Sequence, residues 1–168
     1  LKDLVDSSRE GMILRDGILA VICGKPNAGK SSLMNLLLKR DRVIVTPIPG
    51  TTRDAVEEMI NLKGIPIRLV DTAGIADTKD VIEKEGMKRS KGYLDRSDIA
   101  LLVLDGSTRL DREDLDIIKL VEKKKKVVII NKTDLAPAIS AKDTKAYFKD
   151  EHIIEISVEK RKNIDALE

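Results

Sequence analysis

Three short strings in a fixed order constrain this chain more than any other feature. Gly24-Lys25-Pro26-Asn27-Ala28-Gly29-Lys30-Ser31 comes first, Asp71-Thr72-Ala73-Gly74 follows about forty residues later, and Asn131-Lys132-Thr133-Asp134 about sixty after that. The first fits the template G-x-x-x-x-G-K-S, in which glycines let backbone N–H groups close around phosphates. In that template Lys30 reaches the β- and γ-phosphates and Ser31 binds Mg²⁺. A glycine-rich turn can imitate one such pattern, but three matches in order argue against coincidence.

The apolar runs around these strings define the architecture. Ile18–Cys23 reads as a buried strand leading directly into the phosphate loop, and Leu33, Leu36 and Leu37 form the inner face of a following helix. Val56–Leu62 and Ile65–Val70, joined around Lys63-Gly64, read as a hairpin whose second strand ends at Asp71. Ile99–Leu104, Val127–Ile130 and Ile153–Ile156 are further strands. Asp111–Glu122, with Leu115, Ile118 and Val121 at helical spacing, and Thr144–Lys149 read as helices. The alternation predicts an α/β fold, a six-stranded mostly parallel sheet flanked by helices on both faces, with the motifs at the carboxyl ends of strands. A helix over residues 1–16 leads into this domain, which spans residues 17–168 and ends soon after its last helix would begin. The lysines of Glu122–Lys126 read as an exposed helix end.

Composition removes several function classes. The chain has the length of one domain, and its 31 basic and 29 acidic residues nearly balance, giving no strong electrostatic reason for a nucleic-acid or anionic-membrane partner. Tyr93, Tyr147 and Phe148 are the only aromatics, too few for a base-stacking platform. Cys23, the only cysteine, sits in an apolar run and reads as a reduced core residue, which favours a cytoplasmic setting. His152, the only histidine, has no partner ligands for a zinc site. No run approaches the roughly 20 apolar residues of a membrane span. The chain begins at Leu1 rather than Met, as a piece of a longer protein would.

Asp71 follows a strand beside the phosphate loop, where its carboxylate can hold the Mg²⁺ shell through water while Gly74 lets backbone approach a γ-phosphate. A lone strand-terminal Asp is usually a turn residue, and the Thr72-Ala73-Gly74 that follows it favours the metal role. The carboxylate of Asp134 can accept two hydrogen bonds from the N1–H and 2-amino group of guanine, a pair that adenine does not offer. Asn131 can bridge loop segments and meet the base's polar edge, and the alkyl stem of Lys132 can cover its face.

With Pro49-Gly50-Thr51-Thr52-Arg53-Asp54 added to these motifs, the chain resembles the Era, Der and MnmE group of translation-factor-related GTPases with their Ras-like G domain. Gly64-Ile65-Pro66-Ile67-Arg68-Leu69-Val70-Asp71 and Val81-Ile82-Glu83-Lys84-Glu85-Gly86-Met87-Lys88-Arg89 look most like the tRNA wobble-uridine modification GTPases of the MnmE (TrmE) type. The resemblance implies binding of GTP and GDP with Mg²⁺ held by Ser31, Thr52 and, through water, Asp71. Template and resemblance together assign nucleotide contacts to Asn27, Ala28, Gly29, Lys30, Ser31, Ser32, Thr51, Thr52, Asp71, Gly74, Asn131, Lys132, Asp134, Ser157 and Val158.

Ras-like enzymes place a water-orienting glutamine directly after the glycine that here is Gly74, but Ile75 stands there and an aliphatic side chain cannot orient water. The resemblance implies that Glu83 takes that catalytic role beside Lys30. It also implies that K⁺, held by Asn27 and the carbonyls of Thr46 and Ile48, supplies the charge of an arginine finger, for which Arg42 and Arg53 are the only nearby arginines. It further implies activation by pairing of two G domains, a flavin-dependent partner protein, and action on tRNA through the full-length protein. The 1–16 helix would then be a remnant of a helical domain. The base loop departs from the group's Ser-Ala-Lys or Ser-Ala-Arg and reads Ser157-Val158-Glu159, where the Val158 N–H could still meet the guanine carbonyl. Two alternatives remain at this point: a ribosome-assembly switch of the Era or Der type, and a nucleotide-dependent interaction module with negligible turnover.

Overall fold

The apolar run ahead of the phosphate loop is strand β1 (Ile18–Cys23), buried in all but its first residue. The computed structural model describes residues 17–41, 57–72, 91–148 and 151–167. Outside these lie Thr46, Ile48, Thr51, Thr52, Gly74 and Glu83, together with the helix expected over residues 1–16.

Strand β2 (Glu57–Leu62) turns back antiparallel onto β3 (Ile65–Asp71). The turn between them is made by Lys63 at φ 49° and Gly64 at φ 91°, and the Asn61 side chain accepts the Gly64 N–H at 2.7 Å. Left-handed backbone at both central positions is what a two-residue hairpin turn needs to match strand twist. β3 pairs parallel with one side of β1, and β4 (Ile99–Asp105) pairs parallel with the other. β5 (Lys126–Asn131) and β6 (His152–Glu155) extend the sheet in parallel, giving the order β2-β3-β1-β4-β5-β6. The chain leaves β1 toward one side and returns on the other, so the crevice at its carboxyl end is the switch point where such sheets bind ligands.

Alternation along each strand feeds two cores. Leu19, Val21 and Cys23 of β1 join Leu102 and Leu104 of β4 and Val128 and Ile130 of β5 on one face. Ile118 of helix α2 (Arg112–Leu120), Tyr93 and Leu94 of the helical residues 91–96, and Phe148 cover that face. On the opposite face Ala20, Ile22, Leu69, Val103 and Ile129 meet Leu33, Leu36 and Leu37, the expected inner stripe of the helix after the loop. This helix, Lys30–Asp41, is α1, and a short 3₁₀ turn at Ile164–Leu167 lies beside it. Helices therefore cover both faces of a sheet that is parallel except for β2, as the alternation predicts.

Two local expectations are corrected. The helix placed over Thr144–Lys149 is instead the single turn α3 (Ala141–Thr144), because Ser140 and Asp143 close a reciprocal capping box that starts it earlier. Lys149 lies outside the described residues. The lysine run is also not simply an exposed helix end. α2 stops at Leu120, and Lys126 is buried in β5, where its ammonium bonds the Glu122 and Lys124 carbonyls and pairs with Glu151 at 2.7 Å. Strand ends differ by single residues, β5 and β6 each starting one residue before the expected position.

Cys23 is buried, and burial pushes its thiol up to about 12 against the lowering charge of Lys30. His152 is exposed on β6. Among the described residues no helix is long and apolar enough to cross a membrane.

Candidate functional site

The phosphate loop is shaped by close packing. Gly24 sits at φ 148°, and a Cβ there would run into the Val103 carbonyl oxygen of β4. Gly29 sits at φ 99°, and a Cβ there would strike the Asn131 side-chain amide. Asn27, exposed between them, is also left-handed at φ 61°, a conformation asparagine tolerates better than most residues. The loop is closed by Ala28 N–H on the Lys25 carbonyl at 3.2 Å and by the Lys30 ammonium on that same carbonyl at 2.9 Å. The backbone then enters α1, whose first turn carries no acidic side chain of its own and whose N-terminus presents N–H groups and partial positive charge to an anion.

The structure brings Ser31 and Asp71 together, although 40 residues separate them: the Ser31 hydroxyl donates to the Asp71 carboxylate at 2.6 Å. Two hard oxygen donors thus meet beside the loop, the donor chemistry Mg²⁺ prefers. Thr72 anchors the end of β3 by donating from its hydroxyl to the Ile22 carbonyl at 3.0 Å.

The expected base-binding residues converge as well. Asn131, only 3% exposed, donates from its amide to the Ala28 carbonyl at 2.9 Å and accepts the Val158 N–H at 3.1 Å. One side chain therefore ties the phosphate loop to both base loops. The Val158 N–H, expected to face a guanine carbonyl, is engaged by Asn131, so a carbonyl there would have to share it. Ser157 donates its hydroxyl to Asp134 at 2.5 Å and accepts the Lys160 N–H at 3.0 Å. That hydroxyl, helped by the charges of Lys160 and Lys132, holds the exposed Asp134 carboxyl below the usual carboxylate range. Lys132, left-handed at φ 65°, pairs through its ammonium with Asp105 at the end of β4. Burial raises the Asp105 carboxyl, but hydrogen bonds from Lys132 and Ser107 outweigh it and hold the group down.

Gly29, Lys30, Ser31, Asn131, Asp134 and Val158 line one open cleft of about 1350 Å³. Ser32, also on its wall, is exposed on the first turn of α1.

Two features were not read from the sequence. Asp105 holds Lys132, and the ammonium of Lys25 lies 2.7 Å from Asp111 and 2.9 Å from Asp114. Lys25 holds the Asp111 carboxyl down at about 2, and the two carboxylates push the lysine above its ordinary value. The one signal available was the spacing Asp111-x-x-Asp114 ahead of a helical pattern, which marks a capping box but not what it holds.

A sheet of this order, with a phosphate loop on its central strand and an Asn-Lys-x-Asp loop two strands away, defines a guanine-nucleotide-binding P-loop domain. Residues 19–132 match the family model described as 50S ribosome-binding GTPase, and the chain belongs to that family and is a GTPase that binds GTP and GDP. Over all 168 residues it is 46% identical to the tRNA modification GTPase MnmE of Alkaliphilus oremlandii, and 45% identical to that of Bacillus pumilus. The chain spans 36% and 37% of the lengths of these two relatives. Among solved structures, Era from Aquifex aeolicus bound to GDP and AlF4⁻ superposes with a TM-score of 0.66 at 31% identity, covering 89% of this chain and 54% of that one. The G domain of the T. maritima FeoB iron transporter covers 89% of this chain and 93% of its own at a TM-score of 0.64, but at 23% identity it speaks for the fold alone.

Proposed function

We propose that this chain is the GTP-hydrolysing domain of a tRNA-modification GTPase acting at the wobble uridine, with Mg²⁺-dependent, K⁺-stimulated turnover and activation by pairing of two such domains. The observation that carries the assignment is the identity of 45–48% to tRNA modification GTPases over 98–100% of the chain.

In this reading the β- and γ-phosphates sit against the loop N–H groups and Lys30, whose ammonium exchanges the Lys25 carbonyl for phosphate oxygen. Ser31, Thr52 and, through water, Asp71 would hold Mg²⁺, which would supply charge neutralisation at the β- and γ-phosphates. Asp134 accepts the two guanine donors, and the second amide hydrogen of Asn131 remains for the base edge. Ala28, Gly29, Ser32, Thr51, Gly74, Ser157 and Val158 complete the pocket. Glu83 orients the attacking water in place of the missing glutamine. Asn27, with the Thr46 and Ile48 carbonyls, holds K⁺, a cation that replaces an arginine finger. A flavin-dependent partner and tRNA act through the full-length cytoplasmic protein, and the residues ahead of position 17 belong to a neighbouring helical domain.

The test compares GTP hydrolysis at equal ionic strength in KCl and NaCl, with mass followed by light scattering in the presence of GDP and aluminium fluoride. Stimulation and dimerisation in K⁺ alone support the reading, and Glu83→Ala should slow turnover while leaving GTP affinity nearly intact. Equal rates in both salts, or full activity in that variant, would sink the assigned mechanism. The second reading, a ribosome-assembly switch of the Era or Der type, is favoured by the family's description and the likeness to Era. Folate binding by the intact protein, which resemblance to the MnmE type implies through that family's N-terminal folate-binding domain, separates the two.

A further inference from the structure

Lys25 occupies the second position of the phosphate loop, yet its charge is spent on α2. Its ammonium meets the Asp111 carboxylate at 2.7 Å and the Asp114 carboxylate at 2.9 Å. The same carboxylates cap the helix reciprocally: Asp114 N–H donates to Asp111, and Asp111 N–H donates to Asp114, each at 3.1 Å. An exposed lysine–carboxylate pair would contribute little. Here the Asp114 side chain is 4% exposed and that of Lys25 17%, so removing the ammonium strands Asp114 in a desolvated place, and removing the Asp114 charge leaves the ammonium only Asp111, whose side chain is 55% exposed. The main chain carries the constraint onward, because the Lys25 carbonyl receives both the Lys30 ammonium and the Ala28 N–H.

We infer that Asp111 and Asp114 are positioning residues for nucleotide binding, which fix the first turn of the phosphate loop, and with it Lys30, by gripping Lys25 from the start of α2. The inference rests on this loop being the phosphate site. It assigns α2 a role in how long nucleotide stays bound, through residues that do not line the cleft.

The experiment follows release of a fluorescent GDP analogue from the whole chain as wild type, Lys25→Met, Asp114→Asn, the double variant and Lys25→Arg, at a temperature where circular dichroism shows each folded. Lys25→Met and Asp114→Asn should each speed release about tenfold or more. The double variant should be no faster than the faster single, since both remove one grip. Lys25→Arg, which keeps a cation able to meet two carboxylates, should stay within about threefold of wild type. Wild-type release rates in both single variants, or effects that multiply in the double, would overturn the inference. So would a lowered melting temperature with unchanged release, the mark of a merely structural pair. If Asp114→Asn does not fold, Asp111→Asn, at the more exposed partner, asks the same question of the same ammonium. A wild-type chain that binds no GDP would instead remove the phosphate-site reading beneath it.

Discussion

Asn131→Ala probes the joint on which the cleft depends. The side chain makes two hydrogen bonds, to the Ala28 carbonyl at 2.9 Å and from the Val158 N–H at 3.1 Å, and is itself 3% exposed. A hydrogen bond contributes about 1 kcal/mol net, but stranding a buried partner costs about 1–3 kcal/mol. Ala28 is 1% exposed, so its carbonyl meets no water in the variant and the cost falls at the upper end. Val158 is half-buried, so water can reach its N–H and the cost falls at the lower end. The sum is about 4 kcal/mol, which for a chain of this size lowers the melting temperature by about 8–16 °C. Urea unfolding and thermal melts of the nucleotide-free protein measure it. A loss below about 1 kcal/mol would refute the reasoning, because neither stranded group would then be desolvated. The same geometry predicts a coupling: Gly29→Ala should cost less in the Asn131→Ala background, where the amide that its Cβ would strike is gone and only the strain at φ 99° remains.

Asp134→Asn should lower the preference for GTP over ATP at least tenfold, since an amide presents its own donors to the guanine donors; unchanged discrimination in a competition assay would remove Asp134 from base recognition. Cys23, with its thiol raised from 9.0 to about 12, should resist a disulfide reagent at pH 8 in the folded protein and react fully in denaturant. Because the unfolded chain gives up that proton first, this thiol's contribution to stability is complete below pH 9.0 and is lost as pH rises toward about 12. Rapid labelling of the folded protein at pH 8 would show that the end of β1 opens.

What was legible in the sequence is what is local. β1 and β4 are continuous apolar runs because both faces of the sheet are covered, and such runs are recognisable without knowing their neighbours. The pairing of Ser31 with Asp71 followed from two motifs that each imply the same metal. The helix expected over Thr144–Lys149 starts earlier because Ser140 and Asp143 cap it, and the residues after Thr144 only deliver Phe148 to the core. Lys126 looked like solvent-facing charge because a run of lysines carries no mark of which one will meet Glu151 on a later segment. The grip on Lys25 was hidden for the same reason, its carboxylates being 86 and 89 residues away. Ion pairs between distant segments leave no periodicity to read, whereas strands and caps do.

The position of β1 at the middle of the sheet also fixes an order of assembly. β2 and β3 can pair across their two-residue turn as soon as both exist, a closure on the microsecond scale. β1 has no such neighbour: Ile18 is matched with Ile67 of β3, and Ala20 with Ile99 of β4. As the chain is synthesised, Val21 and Ile22, wholly buried in the finished fold, must therefore wait for β3 and then β4 to emerge before either side is covered. Long-range parallel pairing of this kind is slow because loop closure precedes its reward. The strand that presents the phosphate loop is thus the one that waits longest along the chain for both of its partners.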